Sequence, residues 1–137
     1  MEEDNIPTAL AAYLNQAALI TVVPEAWRED CASLWLAGTA ETIREYVDGS
    51  AIAVVPFEVR VRCAGVSVKN RLDAVALLSR LTAYVRRNPP ESAVLPLTDA
   101  KVVAASGPSK STVYDDGTEE YRASFVLRFF RDAPAES

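Results

Sequence analysis

The sequence predicts an α+β domain, in which a mostly antiparallel sheet (a hairpin plus two C-terminal strands) carries two helices packed on one face. Three observations lead to it. Apolar residues recur with helical spacing in two stretches, around Leu10–Tyr13–Leu14 and around Ala74–Leu78–Leu81. Phe57, Val59, Val61 and Cys63 alternate with Glu58, Arg60 and Arg62, which is the period of a strand covered on one face only. Asp48-Gly49 joins that run to Glu41–Val47 and reads as a hairpin turn.

In chain order, Asn5-Ile6-Pro7-Thr8 starts the first helix, with Pro7 tolerated in the first turn and Asn5 or Thr8 near the cap. The stripe Leu10, Tyr13, Leu14, Ala17 carries that helix over about 7–18. Thr21–Val23 is a short extended piece closed by Pro24. Residues 25–33 fit no single element, and Trp27 stands among charges as an apolar anchor. Ser33–Leu36 forms a strand ended by Gly38. In the hairpin, Asp48-Gly49 suits a type I′ turn, and Pro56 implies a bulge or an edge position.

Ala64-Gly65 marks a turn, and Ser67 can cap the second helix. Ala74, Leu77, Leu78, Leu81, Tyr84 and Val85 form its apolar stripe over Val68–Arg87, and Asn88-Pro89-Pro90 ends it. Two strands follow, Ala100–Ala105 and Tyr121–Arg131, with Phe125, Leu127 and Phe129 on one face of the second. The polar stretch 106–120 between them exceeds a tight hairpin and is expected to be a flexible loop.

Length and composition agree with a single domain over 1–137, ordered over about 5–131 and frayed at 133–137. Half the residues are hydrophobic and 24% are charged, which is globular composition. Apolar runs such as Ala51–Phe57 are too short to span a bilayer. The start Met1-Glu2-Glu3-Asp4 is the opposite of the basic opening of a secretory signal, so folding in a cytosol is expected. Cys31 and Cys63 lack the spacing of a metal or redox pair and read as buried thiols. Of 19 acidic residues, nine fall in 1–50, where only two basic residues occur, and no block of Lys or Arg forms a DNA-binding footprint.

Candidate chemistry is sparse. Histidine is absent, which removes the commonest general base and metal ligand and any Ser–His–Asp or Cys–His arrangement. Cys31 follows Asp30, and an adjacent carboxylate disfavours a reactive thiolate. The run Gly107-Pro108-Ser109-Lys110-Ser111-Thr112 lacks the adjacent Gly-Lys and the strand-to-helix setting of a phosphate loop. Asp115-Asp116-Gly117-Thr118-Glu119-Glu120 gathers carboxylates, but its spacing is that of a charged turn and not of a calcium loop. No catalytic residue, cofactor or metal is therefore assigned.

One polar face remains. Arg44, Glu58, Arg60, Arg62 and Arg128 share it as either a solvated face with weak cross-strand ion pairs or a subunit interface. Trp27, Trp35 and Phe130 are candidate anchors of such a contact, and the sheet edges are open to strand addition.

The stretch Phe57-Glu58-Val59-Arg60-Val61-Arg62-Cys63, the helix through Ala74-Val75-Ala76-Leu77-Leu78, Pro89-Pro90, and the ending Tyr121-Arg122-Ala123-Ser124-Phe125-Val126-Leu127-Arg128-Phe129 after Asp115-Asp116-Gly117 together resemble a phage group. It is the minor capsid, or tail-terminator, family of long-tailed phages and prophages, and the resemblance in layout covers about 5–131. It implies a ring, typically hexameric, that caps the tail tube and joins it to the head connector. The implied partners are further copies of this chain, the tail-tube protein and the head–tail connector. DNA would only pass through a non-basic lumen, and the protein would reside in the virion after synthesis in the host bacterial cytoplasm. The family has no active site to transfer. By this reading Arg44, Glu58, Arg60, Arg62, Asp115, Asp116 and Arg128 are the candidate oligomer-interface residues. A head–tail connector or tail-tube subunit is the nearest alternative, and a cytosolic ligand-binding α+β domain the more distant one.

Overall fold

A computed structural model describes residues 5–24, 31–64, 68–91, 94–95 and 97–132 of the chain. Its elements in chain order are α1 (Ile6–Asn15), β1 (Thr21–Pro24), β2 (Cys31–Leu36), β3 (Glu41–Glu45), β4 (Ala51–Ala64), α2 (Val68–Arg87), β5 (Thr98–Val113) and β6 (Thr118–Arg131). They form an α+β fold around a six-stranded sheet of order β1-β2-β4-β6-β5, with the sixth strand, β3, paired to β4 beside β2. Among the described residues only the β1–β2 pairing is parallel, a feature the sequence pattern does not announce.

The alternation in β4 shapes this sheet. Ala53, Val55, Phe57, Val59 and Val61 are buried, and across the ladder Ala123, Phe125, Leu127 and Phe129 of β6 bury on the same face. Phe57 and Phe125 are register partners whose rings stack at 5.1 Å. The apolar face is covered by Ile6, Leu10 and Leu14 of α1 and by Ala74, Leu78, Leu81 and Val85 of α2. α2 spans the range its stripe predicts. Its end is held by the Asn88 amide, which donates to the Tyr84 carbonyl at 2.9 Å before Pro89. α1 is shorter than expected, ending at Asn15, whose side chain instead pairs with both backbone groups of Val22 on β1 (2.7 and 3.1 Å). The buried Tyr13 hydroxyl donates to the Asn88 carbonyl and so ties the two helices together.

Three expectations are corrected. The stretch 106–120 is not a loop: β5 continues to Val113, β6 starts at Thr118, and only a turn lies between. Four register shifts along β5, one of them spanning Gly107 and Pro108, let a Gly/Pro-containing run stay paired with the regular β6. The Asp48-Gly49 turn is not type I′, since positive φ is needed at both central residues and only Gly49 has it (91°). The Tyr46 amide donates to the Ser50 carbonyl and the Gly49 amide to the Tyr46 carbonyl, which makes a longer loop closed by a left-handed glycine. Pro56 lies in neither a bulge of the β4–β6 ladder nor an edge strand. Its carbonyl accepts from Ala37, so its missing N–H points to the side where β4 changes partner from β3 (Ala51–Val54) to β2 (Phe57–Arg60). No ladder bond is lost there.

Trp27, Gly65, Ser67, the tail 133–137 and the side chain of Cys31 lie outside the described residues. Cys63 is half-buried beside the core.

Candidate functional site

The face of the sheet opposite the helices carries the charged residues, because even-numbered positions of β4 pair with even-numbered positions of β6. Arg60 and Arg122 are direct register partners, and two like charges so placed repel. Glu58 resolves the conflict. Its Oε1 accepts from Arg60, through Nε at 3.0 Å and also through Nη2, while its Oε2 accepts from Arg122 Nη1 at 3.0 Å. Glu58 is only 6% exposed, whereas both arginine side chains reach solvent. Arg60 also stands 5.9 Å from the ring centroid of Trp35, the β2 residue opposite Glu58.

One step along β4, Arg62 stacks over Tyr114 at 4.3 Å, and its Nη2 donates to the Tyr114 hydroxyl at 3.0 Å. That hydroxyl donates to Glu120 Oε1, also at 3.0 Å. Glu119 points to the other face, where it pairs with Lys110 (3.2 Å) and accepts from the Tyr121 hydroxyl (3.2 Å). Burial, then the bond to Glu119, pushes the Tyr121 phenol up. Glu119 and Glu120 are thus buried carboxylates at the base of the β5–β6 turn, spoken for by neighbouring side chains.

The two acidic turn residues part company. Asp116 Oδ1 accepts from the Thr118 amide at 2.9 Å, and bonding to Thr118 lowers its carboxyl below the usual range. Asp115 is simply exposed. Among the described residues no group of three or more His, Cys, Asp or Glu side chains could hold a metal ion, and no helix is long and apolar enough to cross a membrane.

Arg44 and Arg128 lie toward the opposite end of the sheet from the Glu58 cluster. Their β4 partners, Ile52 and Val54, are four to six residues from Glu58, about 13–20 Å along the strand. Arg44 stands over Tyr46 at 5.3 Å, and Tyr46 packs on Phe130 with centroids 6.4 Å apart. Arg128 faces Lys101 across the β5–β6 ladder. An open depression of about 570 Å³ is lined there by Tyr46, Pro89, Asp99, Lys101, Arg128 and Phe130. Beyond it the β3 arm is exposed at every residue, and Ile43, Tyr46 and Val47 present apolar surface.

The predicted polar face therefore exists but is divided. Glu58 and Arg60 meet, Arg62 joins Tyr114, and Arg44 and Arg128 belong to a separate region. Sequence reasoning passed over Arg122 and Tyr114 as site residues, and took Glu119 and Glu120 only as part of a charged turn. Arg122 was within reach, since it keeps the parity of Arg128 in the alternating run Tyr121–Phe129.

No family model matches this chain, and no curated protein matches it. Among solved structures, the chain is similar to one in a structure described as "Virion of native gene transfer agent (GTA) particle". The two share 15% identity with a TM-score of 0.46, over 89% of this chain and 93% of the other.

Proposed function

We propose that this protein is a structural component of a phage-type virion, acting as a tail terminator whose ring caps the tail tube and joins it to the head connector. The observation that carries this reading is the β3–β4 hairpin, exposed along all of β3, with Ile43 within that strand and Tyr46 and Val47 at the turn presenting apolar surface. Exposed apolar side chains concentrated in one short hairpin suit contact with another protein. The family resemblance of the sequence supports the same reading, as does a charged sheet face whose polar groups bond to one another and not around a reaction centre. The protein then acts by contact and has no catalytic role. Its partners are further copies of itself, the tail-tube protein and the connector, and its acidic balance suits a lumen that DNA crosses without binding. It is made in the host bacterial cytoplasm and resides in the virion.

A tail-tube or connector subunit is the second reading, favoured by the exposed outer strand β5 on one side and the β3 arm on the other. Electron microscopy of the purified protein, alone and with its tail-tube protein, separates the two. Closed rings support the terminator, and tubes growing from the protein alone support the tube subunit. Single particles under both conditions would overturn both readings.

A further inference from the structure

Lys101 of β5 and Arg128 of β6 are register partners, so two positive charges stand side by side on the sheet face opposite the helices. Like charges in that relation destabilise a sheet. A register shift sets up the juxtaposition. Thr98 pairs with Phe130 and Lys101 with Arg128, so three steps along β5 match two along β6. In regular pairing from Thr98, Lys101 would fall opposite Leu127 and face the core. Asp99, with φ at 50°, lies within the shift. Bulges re-aim side chains in this way beside binding sites.

Neither cation is neutralised. Among the described residues neither makes an ion pair. Glu41 stands two strands from Arg128 across Val54, about 10 Å away, and Asp99 lines the same depression without pairing to either. That depression, of about 570 Å³, has the size of a cleft that takes a ligand or a short chain segment. Tyr46, exposed by 40%, and Phe130 give it an aromatic wall beside the two cations.

We infer that this depression docks an acidic segment of a partner protein, with a carboxylate seated between Lys101 and Arg128 and an adjacent apolar side chain resting on Tyr46 and Phe130. Charge complementarity selects that occupant. Both cations donate charge-assisted hydrogen bonds to a carboxylate, and an anion between them relieves their mutual repulsion. A nucleic acid fits less well. The chain carries a net charge of −5 and Asp99 stands in the site, so a run of phosphates meets repulsion on either side of the two cations. Tyr46 belongs both to the depression and to the exposed β3–β4 turn, so apolar surface adjoins the charged seat. The inference rests on the reading above only in taking the protein to act by contact, and it adds the chemistry of one partner.

The test is an amide NMR titration of the whole chain at low salt with a capped, glycine-flanked glutamate–phenylalanine–glutamate peptide. Amides around Lys101, Arg128 and Phe130 are expected to shift. The same peptide with glutamine for glutamate should bind about five- to tenfold more weakly, and so should the glutamate peptide to Lys101→Gln or Arg128→Gln. Lys101 is exposed, and its removal ends a repulsion, so Lys101→Gln should melt no lower than wild type. A lower melting temperature would show that the lysine serves the fold and would overturn the inference. Absence of shifts at the depression, equal binding of the glutamine peptide, or variants that bind like wild type would overturn it as well. Oligothymidylate that displaces the peptide and binds more tightly would replace the acidic segment with a phosphate ligand. Ring formation in the electron microscope tests the terminator reading separately, so either can fail while the other stands.

Discussion

Asp48 and Asp116 occupy equivalent positions in two separate hairpin turns, Tyr46-Val47-Asp48-Gly49-Ser50 and Tyr114-Asp115-Asp116-Gly117-Thr118. Each carboxylate accepts from the amide two residues on, at 2.9 Å in both cases. Each turn also has the same backbone closure, with Tyr46 or Tyr114 accepting from the glycine amide and donating to residue 50 or 118.

An acid dependence follows. Hydrogen bonds from Ser50 and Thr118 hold both carboxyls below their ordinary range in the folded chain. A lowered folded-state pKa gives stability that is present above the unfolded value, about 4, and lost as pH falls through the folded value. Melting temperature should therefore drop below about pH 4. Asp48→Ala and Asp116→Ala should each lower it at neutral pH and reduce the acid-induced drop.

Glu58 separates two arginines that would otherwise face each other. Glu58→Ala should cost about 1–3 kcal/mol in urea denaturation, since Arg60 and Arg122 lose their shared acceptor and keep their repulsion. Removing one arginine as well, in Glu58→Ala with Arg122→Ala, should recover part of that loss. A double variant as unstable as the sum of its parts would contradict the account.

Two glycines of the same hairpin should respond differently to alanine. At Gly107 (φ +103°) a Cβ would lie 3.0 Å from the Arg122 carbonyl oxygen and 3.2 Å from Ala123 Cα, all backbone that cannot move aside cheaply. At Gly117 (φ +86°) it would meet nothing within 4 Å. Gly117→Ala should cost about 1 kcal/mol, the conformational penalty alone. Gly107→Ala should cost clearly more, measured by chemical denaturation of both variants.

Tyr13 reports on the helix pair. Burial, with a contribution from Tyr84, pushes its phenol up to about 12, so the folded state favours the neutral hydroxyl. A raised folded-state pKa gives stability that is complete below the unfolded value of about 10 and lost as pH rises toward 12. Tyr13→Phe should cost about 1 kcal/mol at neutral pH through the lost bond to the Asn88 carbonyl. It should also flatten the alkaline decline in stability between those two values.

Elements with strong periodicity were legible. α2 was readable end to end, because its apolar stripe and the Asn88-Pro89-Pro90 stop act locally. β4 showed its two faces through strict alternation. The run 106–113 was not readable, since Ser106-Gly107-Pro108-Ser109-Lys110 has neither alternation nor apolar content of its own. It is a strand because β6 offers a long regular partner, a tertiary cause that leaves no local mark. The candidate site was half legible for a related reason. Parity placed Glu58, Arg60 and Arg62 on one face, but which charges meet depends on β4–β6 register, and that register brings Arg122 to Glu58 while leaving Arg128 with Lys101.

The position of β6 bears on how the chain acquires its shape during synthesis. It is the last described strand in chain order, yet it lies between β4 and β5 and pairs with β4 along the whole of Ala51–Ala64. Until the ribosome has released residues 118–131, the edge of β4 that faces β6 has no mate, and β5 lacks its strand partner. Contacts such as Ala51 with Arg131 close a span of 80 residues, so local hairpins come early and the sheet is completed late. For that interval the nascent chain carries an unpaired strand edge, the kind of surface through which incompletely folded chains associate with one another.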